Sequence, residues 1–259
     1  MGEFLGFGGY RRQPEGYFSW QHLTFVTCLM VVMVVLAVVI GRRYRHRPQA
    51  QRDRVLLVAA ILIDGFELFK IVTFCLRSGD YMAWTHELPL FLCSIQLITI
   101  PLAALTKGRV KRASMDMICI FGVLGAVLGT YFAGQNYAAY PVLSLDNVVS
   151  GITHSISGFT ALYIMISGMS SMQKRDRWIT FVILLCFCVA AYVANVWLEC
   201  NYMFLMAGDG TPYDILFALV GGHPVLYPLG VVGLLVVYIL IFYAVTALIR
   251  SRRKEEAMV

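Results

Sequence analysis

Charged residues are scarce in this chain of 259 residues: they make up 14% of it, against about 25% in ordinary soluble domains, while 59% of the residues are hydrophobic. This scarcity excludes an ordinary soluble domain. The glycines and prolines follow no repeating period and 13% of the residues are aromatic, which excludes a collagen-like or disordered chain. The sequence therefore predicts a protein whose solvent is the lipid bilayer.

Several motifs of cofactor-dependent enzymes are also missing from the sequence. It contains no Walker motif, HExxH, GxSxG or Rossmann glycine pattern, and its cysteines form no CxxC pair or Cys/His metal spacing. The last apolar run, 225–249, lacks the lysine that a retinal Schiff base requires. We therefore expect no nucleotide, metal or other cofactor.

Apolar runs long enough to cross a membrane recur along the whole chain. They cover residues 20–41, 55–76, 88–106, 113–133, 149–169, 178–198 and 225–249. Because only short loops remain between them, we predict an all-helical membrane protein, a seven-transmembrane helix bundle that forms one polytopic domain over 1–259.

The basic residues gather in alternate loops. Most of the 21 lysines and arginines fall in 42–54, 107–112, 174–177 and 250–254. The positive-inside rule puts these loops in the cytoplasm, with the N-terminus outside and the C-terminus cytoplasmic. Cations beside anionic headgroups explain the net charge of +6 without nucleic acid. We expect a multi-pass protein of the cell membrane, the bacterial plasma membrane, with membrane lipids as partners.

Ionisable residues inside spans are costly and mark candidate functional sites. The second run carries Asp64, Glu67 and Lys70 at successive i, i+3 positions, on one side of a helix. These residues favour a binding face. Alternatively, Glu67 and Lys70 simply neutralise each other while the lysine extends to the interface.

Further polar residues fall in the outer half of the bundle once this orientation is adopted. Cys93 and Gln96 share a face of the third run, which we expect to be helical from Pro89 onward, and Asn195 and Glu199 share a face of the sixth. In the fifth run, polar residues form one stripe, Asn147, Ser150, His154 and Ser157. The pattern predicts a cavity open to the outer leaflet.

The fourth run carries a stripe of small residues at i, i+3 and i+7, namely Gly122, Gly125 and Gly129. Small residues let helices approach closely. The stripe suits packing within the bundle or between copies of the chain, so a homo-oligomer stays open.

Several segments together carry a resemblance to a known family. They are SWQHL at 19–23, ELFK at 67–70, LPLFLCS at 88–94, the His154 segment and NYMFL at 201–205. In this order they resemble the YwaF-like family of bacterial integral membrane proteins, which is similar to a eukaryotic ether-phospholipid acyltransferase that works through a cysteine thioester. The resemblance implies lipid acyl transfer. His154 and Asn201 match the family pattern, whereas the pattern has a histidine at Phe91 and the eukaryotic nucleophile falls nearer Leu90 than Cys93.

Two classes of function follow, and enzyme status stays open between them. In a lipid acyltransferase, Cys93 would be the nucleophile and His154 the base that takes its proton. Glu67 or Glu199 would orient the histidine, and Gln96 or Asn201 would donate to the oxyanion. The substrate-binding candidates are therefore Glu67, Gln96, Asn195, Glu199 and Asn201.

The alternative is a non-enzymatic transporter, or a membrane protein that binds a lipid or small molecule. Its site would be the face of Asp64, Glu67 and Lys70, and Cys93 would only pack. A structural subunit of a membrane complex would leave the polar cavity unexplained.

Overall fold

The protein is all-helical in the computed structural model, which describes residues 2–170, 172–173 and 175–256 and has no strand within them. Long apolar segments form helices because only a helix satisfies the backbone hydrogen bonds of a single segment in lipid. The helices are α1 (Gly2–Leu5), α2 (Trp20–Tyr44), α3 (Gln49–Ser78), α4 (Gln96–Leu105), α5 (Gly108–Tyr131), α6 (Gly134–Ala139), α7 (Leu145–Ile166), α8 (Arg177–Leu198), α9 (Tyr213–Leu219) and α10 (Leu226–Glu256), with short 3-10 helices at Ala83–His86 and Tyr202–Phe204.

Within the part of the chain that the structure describes, five helical stretches are long and apolar enough to cross a membrane, judged by length and composition. They are Trp20–Tyr44, Gly108–Ala139, Leu145–Ile166, Arg177–Leu198 and Leu226–Ile249. Each coincides with one of the predicted runs. The prediction of an all-helical protein with several membrane helices is therefore confirmed, and the count of seven and the orientation stay predictions.

The other two predicted spans differ from these five. The run 55–76 is entirely helical within α3, but three ionisable residues lower its hydropathy, namely Asp64, Glu67 and Lys70. The run 88–106 is helical only in the ten residues of α4, and residues 88–95 form turns. The prediction of one continuous helix from Pro89 was wrong. Proline has no N–H to donate and disfavours a helical conformation at the residue before it, and the chain forms turns here before α4 begins.

The helices fall into two compact units, Met1–Ser171 and Met172–Val259. In the first unit, α7 contacts α2, α3 and α5, and α4 packs between α3 and α5. In the second unit, α8 packs on the 3-10 helix at Tyr202–Phe204 and α9 packs on α10. The single domain over 1–259 stays a prediction. Within the basic segments, Lys174 lies outside the described residues, as do the side chains of Arg250, Arg252, Arg253 and Lys254.

The glycine stripe of α5 faces α7. An ideal Cβ placed on Gly122 would come within 2.8 Å of the Ala161 Cβ and 2.9 Å of the Ser157 carbonyl oxygen. The Ser157 hydroxyl in turn donates to the Gly122 carbonyl at 3.5 Å. The two helices therefore touch backbone to backbone, as small residues in membrane helices allow. This contact fixes the position of α7 against α5.

Candidate active site

The segment before α4 is a series of turns that ends at the start of the helix. The Ser94 amide donates to the Phe91 carbonyl at 2.9 Å, and the Leu97 amide donates to the Ser94 carbonyl at 3.0 Å. Cys93 therefore lies three residues before the first helical residue, Gln96. Irregular backbone at membrane depth is tolerated where it is buried in protein or lines a cavity. The break in the third predicted span thus marks a candidate site.

The side chains of Cys93 and His154 line the same cavity, and the thiol lies within the electrostatic reach of the imidazole. The Nε2 atom of His154 is buried and makes no aligned hydrogen bond to any residue that the structure describes. The thiol and the ring are therefore adjacent without the geometry of a full hydrogen bond, an arrangement common in unliganded active sites. The fold therefore brings together two residues that the sequence identifies only as separate candidates.

The backbone of α7 fixes the orientation of the His154 ring. Its Nδ1 lies 2.7 Å from the carbonyl oxygen of Ser150, one helical turn earlier. Because a carbonyl can only accept, Nδ1 carries the proton and Nε2 keeps a free lone pair. The Ser150 carbonyl thus occupies the position at Nδ1 that we predicted for Glu67 or Glu199.

The same glycine stripe makes room for both side chains. An ideal Cβ placed on Gly125 would lie 3.5 Å from the Cys93 Cβ, which is an ordinary van der Waals contact. At Gly129 an added Cβ would overlap the imidazole ring of His154, with Nε2 as the nearest atom. The His154 side chain can therefore occupy its position only because residue 129 has no side chain.

A cavity of about 50 Å³ opens beside the pair, and we call it the thiol cavity. Its lining is Ile63, Glu67, Lys70, Cys93, Ser94, Leu97, Ser150, Thr153 and His154. The volume exceeds the roughly 10–15 Å³ that one water molecule needs, but it is far below the roughly 300 Å³ of a small-molecule pocket. The thiol cavity can hold a reacting group and cannot hold a whole lipid.

Lys70 connects two carboxylates at the wall of the thiol cavity. Its Nζ lies 2.7 Å from Glu67 Oε1 and 2.9 Å from Glu87 Oε2. Sequence spacing predicts the first pair. Glu87 lies in the loop before Pro89, and its part in the pair depends on how that loop returns to α3. Asp64 is not among the residues that line the thiol cavity.

The remaining predicted site residue of the first unit is Gln96. Its side chain is fully buried, and its Oε1 accepts a hydrogen bond from the Thr99 hydroxyl at 3.0 Å. Its Nε2 has no hydrogen-bond partner among the residues that the structure describes. It does not line the thiol cavity, so the structure does not bring it together with the Cys93 and His154 pair.

Three predicted site residues belong to the second unit. Asn195 clamps the turn after α8, since its Nδ2 donates to the Tyr202 carbonyl at 3.0 Å and its Oδ1 accepts from the Tyr202 amide at 2.6 Å. Asn201 organises the next loop by donating to the Ala207 carbonyl at 2.8 Å. Glu199 ends α8 in a left-handed conformation with φ of 54°.

The fold and this site define a multi-pass membrane protein with a thiol and a histidine side by side between its helices. The chain belongs to the TMEM164 family, whose model matches residues 17–246. No curated protein and no solved structure matches the chain.

Proposed function

We propose that the protein is a membrane acyltransferase that carries an acyl group on Cys93 and transfers it between lipids. The observation that carries this proposal is the thiol of Cys93 beside the unpartnered Nε2 of His154. Nucleophilic catalysis needs a nucleophile next to a base, with a third group that orients the base. Here Cys93, His154 and the Ser150 carbonyl correspond to these three groups. The resemblance of the chain to the YwaF-like family points to the same chemistry.

Each half of the reaction moves one proton through His154. In the first half, Nε2 takes the thiol proton as the sulfur of Cys93 attacks the ester carbonyl of the donor lipid. The ester C–O bond breaks, the leaving oxygen takes the proton back, and a thioester remains. In the second half, the acceptor hydroxyl gives its proton to Nε2 as its oxygen attacks the thioester. The C–S bond breaks, the new ester is released, and the thiolate takes the proton back from Nε2, which restores the thiol.

The surroundings of the pair favour the charges that form during this transfer. The thiolate of Cys93 would lie three residues before α4, near the positive N-terminal end of that helix's dipole. The imidazolium of His154 would lie within the electrostatic reach of Glu67. Both effects gain strength where water is scarce. The site therefore stabilises the ion pair that the first step creates.

The topology predicted from the basic loops adds a location to this proposal. With the N-terminus outside, Cys93 and His154 lie in the outer half of the bundle. The acyl donor and acceptor are then lipids of the outer leaflet of a bacterial plasma membrane.

The direct test is to look for the acyl group on the protein. We expect purified protein incubated with diacyl phospholipid vesicles to carry an acyl adduct on the peptide that contains Cys93, measured by mass spectrometry. Neutral hydroxylamine should remove the adduct, as it does a thioester. Turnover of lipid with the adduct on another residue, or with none when the reaction is rapidly quenched, would contradict the proposal.

A second candidate function is suggested by the carboxylates at the thiol cavity wall. Because Lys70 meets both Glu67 and Glu87, the cluster keeps one negative charge, which suits a bound cation or proton in a transporter.

Replacing Glu67 by Gln separates these two functions. In an acyltransferase we expect a rate loss of only about three- to tenfold, because one charge near the imidazolium is removed. A transporter would lose uptake in this variant and keep it in Cys93→Ala. Asp64→Asn is the matched control, since it removes the same charge from the same helix outside the thiol cavity lining. Proteoliposome assays of acyl transfer and of uptake give both readings.

A further inference from the structure

A second, larger cavity lies in the first unit, and we call it the arginine cavity. Its volume is about 700 Å³, within the range of roughly 300–1,000 Å³ that small-molecule sites occupy. The N-terminal segment, α3 and the turn before α7 line it, and it is open to the protein surface. Its lining is Gly6, Gly8, Gly9, Tyr10, Arg12, Gln13, Pro14, Phe74, Arg77, Ala139, Tyr140 and Pro141.

The charged residues that line the arginine cavity are both arginines. Arg12 and Arg77 line it, and no aspartate or glutamate is among the lining residues. Their carboxylate partners belong to the surrounding structure: Arg77 forms a bidentate pair with Asp146 at 2.8 and 2.9 Å, and Arg12 pairs with Glu15. A guanidinium has five donors, so each keeps N–H groups for a ligand. The two carboxylates balance the charge of the two arginines, so it is the remaining guanidinium N–H groups, beside the adjoining aromatic rings, that can bind an oxyanion.

Hydrogen bonds hold the N-terminal segment over the arginine cavity. The Tyr10 hydroxyl donates to Asp146 Oδ2 at 2.6 Å and accepts from Arg77 at 3.1 Å. Burial, with the hydrogen bond to Asp146 adding to it, raises the pKa of Tyr10 to about 12, so the phenol remains a donor. Glu15 accepts from the Val142 amide at 2.8 Å. The wall is therefore built before any ligand arrives.

The two cavities follow one another along α3 and α7. On α3, Lys70 lines the thiol cavity and Arg77 lines the arginine cavity, seven residues further along the same helix face. At 1.5 Å per residue this is an offset of about 10 Å. On α7, Asp146 precedes His154 by about two helical turns. An extended molecule would span this distance between the two cavities.

We propose that the arginine cavity binds the phosphate of an amphiphilic ligand. For an acyl acceptor or donor, this binding would hold the headgroup while the glycerol carbons extend toward Cys93. That second statement rests on the proposed acyl transfer, whereas phosphate binding does not. The same chemistry would accept a free phosphate ion, so the experiment compares both sources.

Binding is measured by isothermal titration calorimetry on the full chain in a maltoside detergent, which contains no phosphate. The probes are inorganic phosphate and a short-chain monoacyl glycerophosphate. We expect Arg12→Gln to weaken binding by about tenfold, because one charge-assisted contact is lost. Arg11→Gln is the matched control, since Arg11 is exposed and does not line the arginine cavity. Binding measured in the Cys93→Ala background stays independent of acyl transfer.

A second variant pair tests the cavity itself without changing charge. Ala139 lines the arginine cavity and Ala138 does not, and both are exposed at the end of α6. We expect Ala139→Trp to abolish binding of the probe and Ala138→Trp to leave it unchanged. Binding of the monoacyl glycerophosphate alone identifies a headgroup site, and equal binding of both probes identifies a phosphate site open to either source. Absence of binding, or equal behaviour of the two members of each variant pair, overturns the proposal.

Discussion

Replacing Cys93 by Ala is expected to lower acyl transfer by about 10⁴-fold or more, a loss of the size seen when a catalytic nucleophile is removed. The reason is that no other group on the thiol cavity wall can form the thioester: the lining holds one thiol, that of Cys93. Transfer of a labelled acyl chain between lipids in proteoliposomes measures the effect. Thermal unfolding of the same sample shows whether the variant is folded.

The matched control is Cys119→Ala. Cys119 is also buried in the first unit, on α5, and its thiol contacts the Ala161 carbonyl at 3.9 Å, away from the thiol cavity lining. We expect this variant to keep acyl transfer within about twofold of the wild type, because the small cavity that it leaves in α5 lowers the stability of the fold without changing the thiol cavity. Equal activity of Cys93→Ala and Cys119→Ala would contradict the assignment of Cys93 as the nucleophile.

Hydropathy accounts for the fold where the chain is uniformly apolar. The predicted run 178–198 matches α8 to within one residue, because no charged residue and no proline interrupts it. The run 88–106 fails because its composition is equally apolar while its backbone is not helical before Gln96. A hydropathy window measures how strongly a segment prefers lipid over water, and it does not detect the turns that Pro89 initiates.

The candidate site was predictable in its parts and not in its assembly. Helical spacing identifies Cys93 and His154 as polar positions, but their meeting depends on which helices are neighbours, and single-chain periodicity carries no such information. Glu87 was missed for the same reason. The arginine cavity was missed because Tyr10 and Asp146 are far apart in the chain and meet only through the N-terminal segment.

The contact of Gly129 with His154 leads to the second large effect. Gly129→Ala is expected to lower acyl transfer by about 10²-fold. The added Cβ overlaps the imidazole of His154 and must displace the ring, and a displacement of about 1 Å in a catalytic group lowers the rate by about that factor. The variant should also lose about 1–3 kcal/mol of stability through overpacking, although alanine is the better helix former by about 1 kcal/mol. Proteoliposome activity and thermal unfolding measure the two effects.

Gly65→Ala supplies the opposite result from the same substitution. Gly65 lies within α3 and an ideal Cβ there meets nothing within 4 Å, so only the helix preference remains. We expect unchanged activity and a gain of up to about 1 kcal/mol. If Gly129→Ala behaved like Gly65→Ala, the His154 ring would not require the space over residue 129. The predicted stability changes have opposite signs at these two helical glycines. Measuring them therefore tests the placement of the His154 ring, independently of any lipid substrate.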